Sequence, residues 1–460
     1  MAERFDLAVI GGGPGGYVAA IRAAQLGLRV ALVEKEQLGG VCLNRGCIPT
    51  KALLASVGVL SALKGAEEFG VRAEGVEADV PAMFRRKDEV VARLRGGVEK
   101  LLKKRKVTVY KGSGSIGERG VVSVEGSDGT VAVECERVIL ATGSTPLVPE
   151  VFPYDGRIVI TTREALESPR MPDDVLIIGA GAVGCEFAGF YSSLGLPVTL
   201  VEMLPEILPG EDPSAVRQLL AAMRKQGVDV RTATKVESIE ITGDAALTTL
   251  SDGTSVKTGR VLLAMGRRLG AGGSGIPEAG IEVERGAVVV NEKMETSRPG
   301  VYAIGDLVGG WLLAHVASRE GIVAATNAAG RDLAMDYRAV PRCTFTKPEI
   351  ASVGITEAAA SSQGLELSSG RFPFAASGKA LSEGEAQGFV KVLCDAASGR
   401  VVGGVVAGPH ASDLIHEIAL AVHAELSFDR LAGMIHAHPT LAESVMEAAE
   451  AVEGLSIHSG

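Results

Sequence analysis

The sequence contains two copies of one glycine-rich pattern, and this repetition constrains the fold more than any other feature. In the first copy, an apolar strand pattern at Phe5–Ile10 runs into Gly-Gly-Gly-Pro-Gly-Gly at residues 11–16 and then into a helical pattern. In the second, Val175–Ile178 runs into Gly-Ala-Gly-Ala-Val-Gly at residues 179–184 in the same way. The next predicted strand ends at Glu34 in one copy and at Glu202 in the other, 23 positions after the first glycine in both. This order of elements is typical of a dinucleotide-binding βαβ unit, so we predict two such units.

Each unit assigns a role to its glycines and to its acidic residue. The glycines permit a tight turn and let a pyrophosphate approach a helix N-terminus. Glu34 and Glu202 would accept hydrogen bonds from a ribose 2′-hydroxyl and would repel a 2′-phosphate. No arginine cluster follows Glu202, which favours NAD over NADP at the second unit. A glycine-rich turn with a structural role is the alternative for each unit. The predicted glycine contacts are Gly11, Gly13, Gly16, Gly179, Gly181 and Gly184.

The rest of the chain reads as an alternation of helices and strands. The pattern predicts helices at Tyr17–Leu26, Pro213–Gln226 and Asp413–Leu426. A third apolar strand is predicted at Gly300–Ile304, and a mixed α+β pattern begins near Val340. The chain is therefore predicted to be α/β with a different C-terminal part.

Composition narrows the classes of function. A chain of 460 residues is long enough for about three domains of ~150 residues. Its formal net charge of −10 gives no basis for non-specific binding to nucleic acid. No run of about 18 uncharged apolar residues occurs, so we expect no transmembrane helix and no membrane partner. The strand pattern begins at Phe5 and the chain has only six cysteines, which favours a cytoplasmic protein without a targeting peptide or disulfide scaffold.

A pair of cysteines follows the first unit directly. Residues 39–51 read Gly-Gly-Val-Cys-Leu-Asn-Arg-Gly-Cys-Ile-Pro-Thr-Lys, so four residues separate Cys42 from Cys47. A loop containing Gly46 could bring the two cysteines to disulfide distance. Pro49 favours the first turn of a helix, whose N-terminus would stabilise a Cys47 thiolate. Because the other four cysteines are isolated, we interpret the pair as a redox-active dithiol; half a metal site or inert thiols are the alternatives, and no metal site is predicted.

Together these motifs resemble the flavoprotein pyridine nucleotide-disulfide oxidoreductases, and among them most closely the dihydrolipoamide dehydrogenase group. The resemblance extends over essentially the whole chain. It implies an α/β fold with two Rossmann-like dinucleotide-binding domains, one for FAD and one for NAD, plus a C-terminal α+β dimerisation domain. The implied bounds are 1–149 and 271–339 for the two parts of the FAD-binding and central domain, 150–270 for the NAD-binding domain and 340–460 for the interface domain. Besides the glycine turns and the cysteine segment, the matching segments are 141–143, 296–306, 312–315, 346–350 and 436–443.

The resemblance also implies which residues contact the cofactors. It pairs Lys51 with Glu186 beside the flavin. For NAD it adds Val236 and Gly266 to the second glycine turn and Glu202. For FAD it adds to the first turn and Glu34 the residues Gly114, Thr142, Gly143, Ser144, Asp306, Leu312, Leu313, Ala314 and His315.

Proton transfer is assigned by the same resemblance to His438. Thiol chemistry needs a base that titrates near neutral pH, and Glu443 would orient the imidazole within the segment His-Pro-Thr-Leu-Ala-Glu. Without the family context, a structural histidine would be the preferred interpretation. The resemblance places His438 across the interface of a homodimer.

The activity implied is the reoxidation of dihydrolipoamide with NAD⁺ as acceptor. The lipoyl group would be carried by lipoyl domains or a lipoyl carrier protein of a multienzyme complex, a 2-oxoacid dehydrogenase or glycine cleavage complex. Two alternatives stay open. One is a glutathione- or mercuric-type flavin disulfide reductase, against which Glu202 and the lack of a C-terminal cysteine pair argue. The other is a nucleotide-binding redox sensor without turnover, against which the Cys42, Cys47, Lys51 and His438 set argues.

Overall fold

The computed structural model describes residues 4–117 and 120–459. Both predicted βαβ units are present in it, and each is extended into a larger sheet. The strands in these ranges are β1 (Arg4–Ile10), β2 (Val30–Glu34), β3 (Thr108–Lys111), β4 (Ser113–Ile116), β5 (Val121–Gly126), β6 (Gly129–Leu140), β7 (Ser144–Pro146), β8 (Val159–Thr161), β9 (Val175–Ile178), β10 (Val198–Val201), β11 (Val228–Arg231), β12 (Val236–Thr242), β13 (Ala245–Leu250), β14 (Ser255–Thr258), β15 (Val261–Leu263), β16 (Arg267–Leu269), β17 (Val283–Glu284), β18 (Ala287–Val288), β19 (Val301–Ala303), β20 (Arg342–Thr344), β21 (Glu349–Gly354), β22 (Leu367–Pro373), β23 (Phe389–Asp395) and β24 (Val401–Gly408).

The helices connect these strands and cover the sheets. Short 3₁₀ turns occur at Ala66–Phe69, Gly305–Val308, Phe374–Ala376 and Ala451–Glu453. The α-helices are α1 (Pro14–Gln25), α2 (Gly40–Arg45), α3 (Cys47–Lys64), α4 (Val80–Lys104), α5 (Thr162–Glu167), α6 (Ala182–Ser193), α7 (Pro213–Lys225), α8 (Ala314–Ala328), α9 (Glu357–Ser362), α10 (Gly378–Ser382), α11 (Ala411–His423), α12 (Phe428–Ala432) and α13 (Glu443–Glu450).

The first unit is the centre of a seven-stranded sheet. Its order is β3-β2-β1-β6-β5-β4, and β19 pairs with β6. Strands β3, β2, β1, β6 and β19 are parallel, and the apolar side chains of β1, β2 and β19 are buried, as expected for a sheet covered on both faces. Helix α1 packs closely against α8, which follows β19 after ten intervening residues. Because β19 joins this sheet, segments far apart in sequence meet at the end of β1.

The second unit builds a separate five-stranded parallel sheet. Its order is β11-β10-β9-β15-β8, and the antiparallel strands β12, β13 and β14 form a smaller sheet of their own. Helix α7 begins after Asp212, whose carboxylate accepts hydrogen bonds from the backbone N–H groups of Ser214 and Ala215. This capping explains why the helix begins at the predicted Pro213.

The C-terminal part is built on an antiparallel sheet. Its order is β20-β21-β24-β23-β22. Helix α11 packs against β21 and β24, and α13 packs against β22 and β23. The core between them contains Val353, Val392, Ile415 and Ile418, all nearly inaccessible to solvent. This mixed α+β unit confirms the change of pattern predicted near Val340.

Most differences between the predicted and observed elements lie at helix ends. Helix α1 begins at Pro14 rather than at Tyr17, because the glycine turn itself enters the helix. Helix α11 runs over Ala411–His423 rather than over Asp413–Leu426. The prediction of a loop between the two cysteines is wrong, since residues 40–45 form the short helix α2.

One helical stretch, Gly40–Lys64, is long and apolar enough to cross a membrane by length and composition alone. Core helices pass the same test. This stretch carries the charged residues Arg45 and Lys51, and its Leu53 and Val57 are buried against the second sheet's core cluster. We therefore interpret this stretch as helices α2 and α3 of the folded chain rather than as a membrane span.

Candidate active site

A cavity of about 450 Å³ lies where the first glycine turn, the cysteine segment and α6 meet. Its volume is in the range of small-molecule sites. Leu313 and His315 lie outside its lining; the Nε2 atom of His315 is 2.9 Å from the carbonyl oxygen of Pro341 instead. The predicted residues that line it are Gly11, Gly13, Gly16, Glu34, Cys42, Cys47, Lys51, Gly114, Thr142, Gly143, Ser144, Glu186, Asp306, Leu312 and Ala314.

The first glycine turn is shaped for close backbone contact. Gly11 has φ +106°, and a Cβ atom there would lie 2.2 Å from the carbonyl oxygen of Ala141. A Cβ atom at Gly16 would lie 1.8 Å from the carbonyl oxygen of Gly11. Helix α1 begins after Gly13 without a side-chain cap, which leaves its first N–H groups for an anion. The turn therefore fits the pyrophosphate of a dinucleotide.

Glu34 and Thr142 supply polar groups next to this turn. The carboxylate of Glu34 accepts hydrogen bonds from the backbone N–H groups of Gly12 and Glu36, both at 2.7 Å. Burial raises the pKa of Glu34, and the Gly12 N–H group and the nearby cations Lys35 and Arg45 oppose that rise. The hydroxyl of Thr142 is buried at the cavity and has no hydrogen-bond partner within the described residues. A buried polar atom without a partner is costly, so this hydroxyl fits a ligand contact.

The second glycine turn repeats the first in detail. A Cβ atom at Gly184 would lie 1.9 Å from the carbonyl oxygen of Gly179, and α6 begins after Gly181 without a side-chain cap. The carboxylate of Glu202 accepts hydrogen bonds from Ala180 N–H at 2.7 Å and Leu204 N–H at 2.9 Å. This geometry fits a second dinucleotide with a free ribose 2′-hydroxyl.

The two remaining predicted NAD contacts lie on other parts of the second unit. Val236 begins β12, and Gly266 follows β15 with φ +114°. The carbonyl oxygen of Gly266 accepts a hydrogen bond from Leu147 N–H at 3.0 Å, so its segment is fixed to the chain that follows β7.

The cysteines occupy two successive helices. Cys42 lies in α2, and Cys47 is the first residue of α3. A Cβ atom at Gly46 would lie 3.1 Å from the carbonyl oxygen of Val41, so glycine allows α3 to begin close beside α2. Both cysteines are free thiols in the structure and line the cavity, where Cys47 is accessible.

The two thiols titrate very differently. The hydrogen bond from Cys42 and the charge of Lys51 together outweigh burial and lower the pKa of Cys47 to about 7. The same hydrogen bond, with burial, raises the pKa of Cys42. Cys47 is therefore the thiolate of the reduced pair near neutral pH, as its place at a helix N-terminus favours.

We expect the ultraviolet absorbance of the reduced, flavin-free protein to show one thiolate that forms as the pH rises through about 7. Below that pH Cys47 is protonated. Cys47→Ser should remove this titration, whereas Cys135→Ser should leave it intact, because burial raises the pKa of Cys135 to about 11. Lys51→Met should shift the midpoint to higher pH. An unchanged titration in Cys47→Ser would contradict the assignment.

Lys51 and Glu186 form the predicted ion pair. The Nζ atom of Lys51 lies 2.9 and 2.8 Å from the two carboxylate oxygens of Glu186, whose side chain is 5% exposed. Phe345 from the C-terminal part completes the arrangement: its N–H donates to Glu186 at 3.0 Å, and its ring centroid is 4.4 Å from Lys51 Nζ. Sequence reasoning missed Phe345, because a backbone donor leaves no signal in the residue type.

His438 and Glu443 are paired as predicted, but outside this cavity. The Nδ1 atom of His438 lies 2.9 Å from Glu443, and the second carboxylate oxygen accepts from Thr440 N–H at 2.8 Å. Burial raises the pKa of Glu443, but Thr440 N–H and His438 outweigh it and hold that pKa below its usual value. The His438 side chain is 79% exposed. Within one chain, the His438–Glu443 pair therefore forms, but it does not line the cavity that contains the two cysteines.

Comparisons with known proteins agree with this architecture. Residues 5–321 match the model of the pyridine nucleotide-disulphide oxidoreductase family, and residues 340–449 match the dimerisation domain of the same family. The chain belongs to the pyridine nucleotide-disulphide oxidoreductases. The fold class predicted from the sequence is thereby confirmed, as is a C-terminal dimerisation domain.

Full-length relatives of this oxidoreductase share much of its sequence. A dihydrolipoyl dehydrogenase of Thermus scotoductus is 44% identical over 99% of both chains. One from Chlamydia pneumoniae is 42% identical over 98% of this chain and 97% of its own. Among solved structures, LpdA from Mycobacterium tuberculosis matches with a TM-score of 0.92 at 30% identity, over 97% of this chain and 99% of its own. The oxidoreductase resembles these proteins from end to end.

Proposed function

We propose that this chain oxidises dihydrolipoamide to lipoamide with NAD⁺ as the acceptor, using FAD and the Cys42–Cys47 couple. One observation carries the proposal. The Cys42–Cys47 pair and the Lys51–Glu186 ion pair line the same cavity as the first dinucleotide turn. Full-length relatives at around two-fifths identity are named dihydrolipoyl dehydrogenase, which supports this choice within the family.

FAD and NAD are the cofactors of this oxidoreductase, and the residues fit them. The first glycine turn, Glu34, Thr142 and Asp306 would hold FAD in the cavity. The second turn, Glu202, Val236 and Gly266 would hold NAD. When bound, FAD relays an electron pair from the cysteine couple to NAD⁺ as a hydride.

The protein side chains carry the thiol steps. A thiol of dihydrolipoamide gives its proton to a histidine, and its sulfur attacks Cys42 of the Cys42–Cys47 disulfide, releasing Cys47 as a thiolate. The second substrate thiol attacks the sulfur bonded to Cys42 and its proton passes to the leaving Cys42 sulfur, so lipoamide leaves as a disulfide and Cys42 becomes a thiol. Two electrons and two protons have then left the substrate. The low pKa of Cys47 makes it the better leaving group and the stable thiolate.

The histidine in this scheme is His438 of the partner subunit. Within one chain, His438 lies outside the cavity that holds the cysteines, and its ring is mostly exposed. Large apolar side chains are exposed close to it in sequence, including Ile435 at 97% and Met434 at 48%. A homodimer formed through the dimerisation domain would cover such a surface and bring each His438 to the other subunit's cysteines.

The proposed substrate is a lipoyl group on another protein. Lipoyl domains or a lipoyl carrier protein of a 2-oxoacid dehydrogenase or glycine cleavage complex would present it. The cytoplasm is the proposed compartment. The four-segment domain division stays a prediction, although β19 of the third segment does pair with β6 of the first.

The test is an assay of the purified holoprotein with dihydrolipoamide. We expect rapid reduction of NAD⁺ and much slower reduction of NADP⁺, since Glu202 is placed to accept a 2′-hydroxyl and repel a 2′-phosphate. Glutathione disulfide with NADPH should give little turnover. Efficient glutathione reduction would favour the other disulfide reductases instead, and holoprotein without dithiol turnover would favour a redox sensor.

A further inference from the structure

The Asp306 carboxylate is held by two side chains, Ser144 and Arg267, and Arg267 comes from the second nucleotide-binding unit. The carboxylate accepts a hydrogen bond from the hydroxyl of Ser144, which is 7% exposed. Arg267 binds both of these residues. Its Nε atom lies 2.6 Å from Ser144 Oγ and 3.3 Å from the Asp306 carboxylate, and its second guanidinium nitrogen donates to the Ser144 carbonyl oxygen at 2.8 Å.

A backbone ladder fixes two of these residues, Ser144 and Arg267, relative to each other. Strand β16, which begins with Arg267, pairs antiparallel with β7, which begins with Ser144. The ladder continues on both sides, where Leu147 N–H donates to Gly266 O at 3.0 Å and Gly270 N–H donates to Gly143 O at 3.1 Å. The guanidinium therefore sits at a fixed junction, with side chains of Arg267 and Asp306 only 24% and 22% exposed.

The position of this junction suggests its role. Ser144, Arg267 and Asp306 all line the cavity that contains the first glycine turn. Asp306 belongs to the 3₁₀ turn Gly305–Val308 that follows β19, whereas Arg267 follows β15 of the second sheet. A carboxylate held by a planar guanidinium and a hydroxyl has one preferred orientation, which favours binding of a polar ligand.

We infer that Arg267 is a positioning residue for FAD, contributed by the second nucleotide-binding unit. Acting directly and through Ser144, it holds the Asp306 carboxylate in the orientation that accepts a cofactor hydroxyl. The inference rests on FAD as the cofactor and on its proposed contact with Asp306. It does not depend on which dithiol is oxidised, so its test measures FAD binding rather than turnover.

The experiment compares FAD binding to flavin-free protein carrying Arg267→Met or Arg268→Met. Arg268 is the next residue on β16 and is exposed, so its variant is matched in strand and in charge change. We expect Arg267→Met to raise the Kd for FAD about 10- to 100-fold, the range seen when partners that orient metal-binding carboxylates are removed. Arg268→Met should bind FAD as the unchanged protein does.

Three further measurements separate positioning from general structural support. The thermal midpoint of flavin-free Arg267→Met should equal that of Arg268→Met, while the increase that FAD gives should shrink. Arg267→Lys should recover only part of the affinity for FAD, because lysine restores the positive charge but lacks the planar guanidinium group that binds two acceptors at once. Ser144→Ala combined with Arg267→Met should cost less than the sum of the two single changes.

Two outcomes would overturn the inference. One is FAD affinity in Arg267→Met equal to that in Arg268→Met. The other is a fall in the thermal midpoint of the flavin-free Arg267→Met protein that accounts for the whole loss of binding. If Arg267→Met does not fold, FAD affinity is compared instead between the unchanged protein and the Arg267→Lys and Ser144→Ala variants. An unchanged Kd for FAD in both variants would then contradict the inference.

Discussion

Cys47→Ser is expected to lower kcat for the oxidation of dihydrolipoamide by NAD⁺ by on the order of 10³-fold or more. Serine cannot form the disulfide that accepts the substrate's electrons. The cavity and its glycine turns do not depend on the Cys47 sulfur, so FAD should still bind. NADH should therefore still bleach the yellow colour of the bound flavin in this variant. Steady-state turnover and anaerobic flavin reduction measure the two effects separately.

Cys135→Ser is the matched control for this prediction. Cys135 donates a hydrogen bond from its sulfur to the carbonyl oxygen of Gly120 at 3.1 Å, and serine can replace that donor. It lies in β6, in the interior of the first sheet, and takes no part in the proposed reaction. Its variant should keep both turnover and flavin reduction. Dihydrolipoamide turnover that survives in Cys47→Ser would refute the proposed dithiol chemistry.

The features predicted correctly from the sequence are those that the sequence encodes locally. Both glycine turns could be predicted because a strand, its turn and its helix are continuous in the chain, and the ends of β9 match the prediction residue for residue. The single sheet that contains β1 and β19 follows from family resemblance rather than from periodicity, since no local pattern pairs residues this far apart.

The features that were missed depend on long-range contacts. Strands β7 and β16 have three residues each and pair across a long sequence separation. Such short strands show no alternation of apolar and polar residues from which they could be predicted. The backbone N–H of Phe345 that binds Glu186 carries no side-chain signature. Helix α2 replaces the predicted loop because Gly39, with positive φ, turns the chain before it and Gly46 ends it.

His438→Gln is expected to lower kcat by about 10²- to 10⁴-fold, the usual contribution of a general base. Glutamine can keep a hydrogen bond to Glu443 but cannot take a proton from the dithiol. The loss should be smaller at high pH, where dihydrolipoamide ionises without the base. His423→Gln is a suitable control, because this exposed histidine ends α11 and lies outside the residues that the mechanism uses. Turnover against pH measures both effects.

The placement of His438 on the partner subunit makes a further prediction for mixed dimers. A dimer of one Cys47→Ser subunit and one His438→Gln subunit contains one site with both defects and one site with neither. Mixing the two inactive proteins under conditions of subunit exchange should therefore restore activity, approaching half of the unchanged value per heterodimer. If the histidine acted within its own chain, each site of the mixed dimer would keep one defect and no activity would return. Recovery after mixing thus separates the two arrangements without any structure of the dimer.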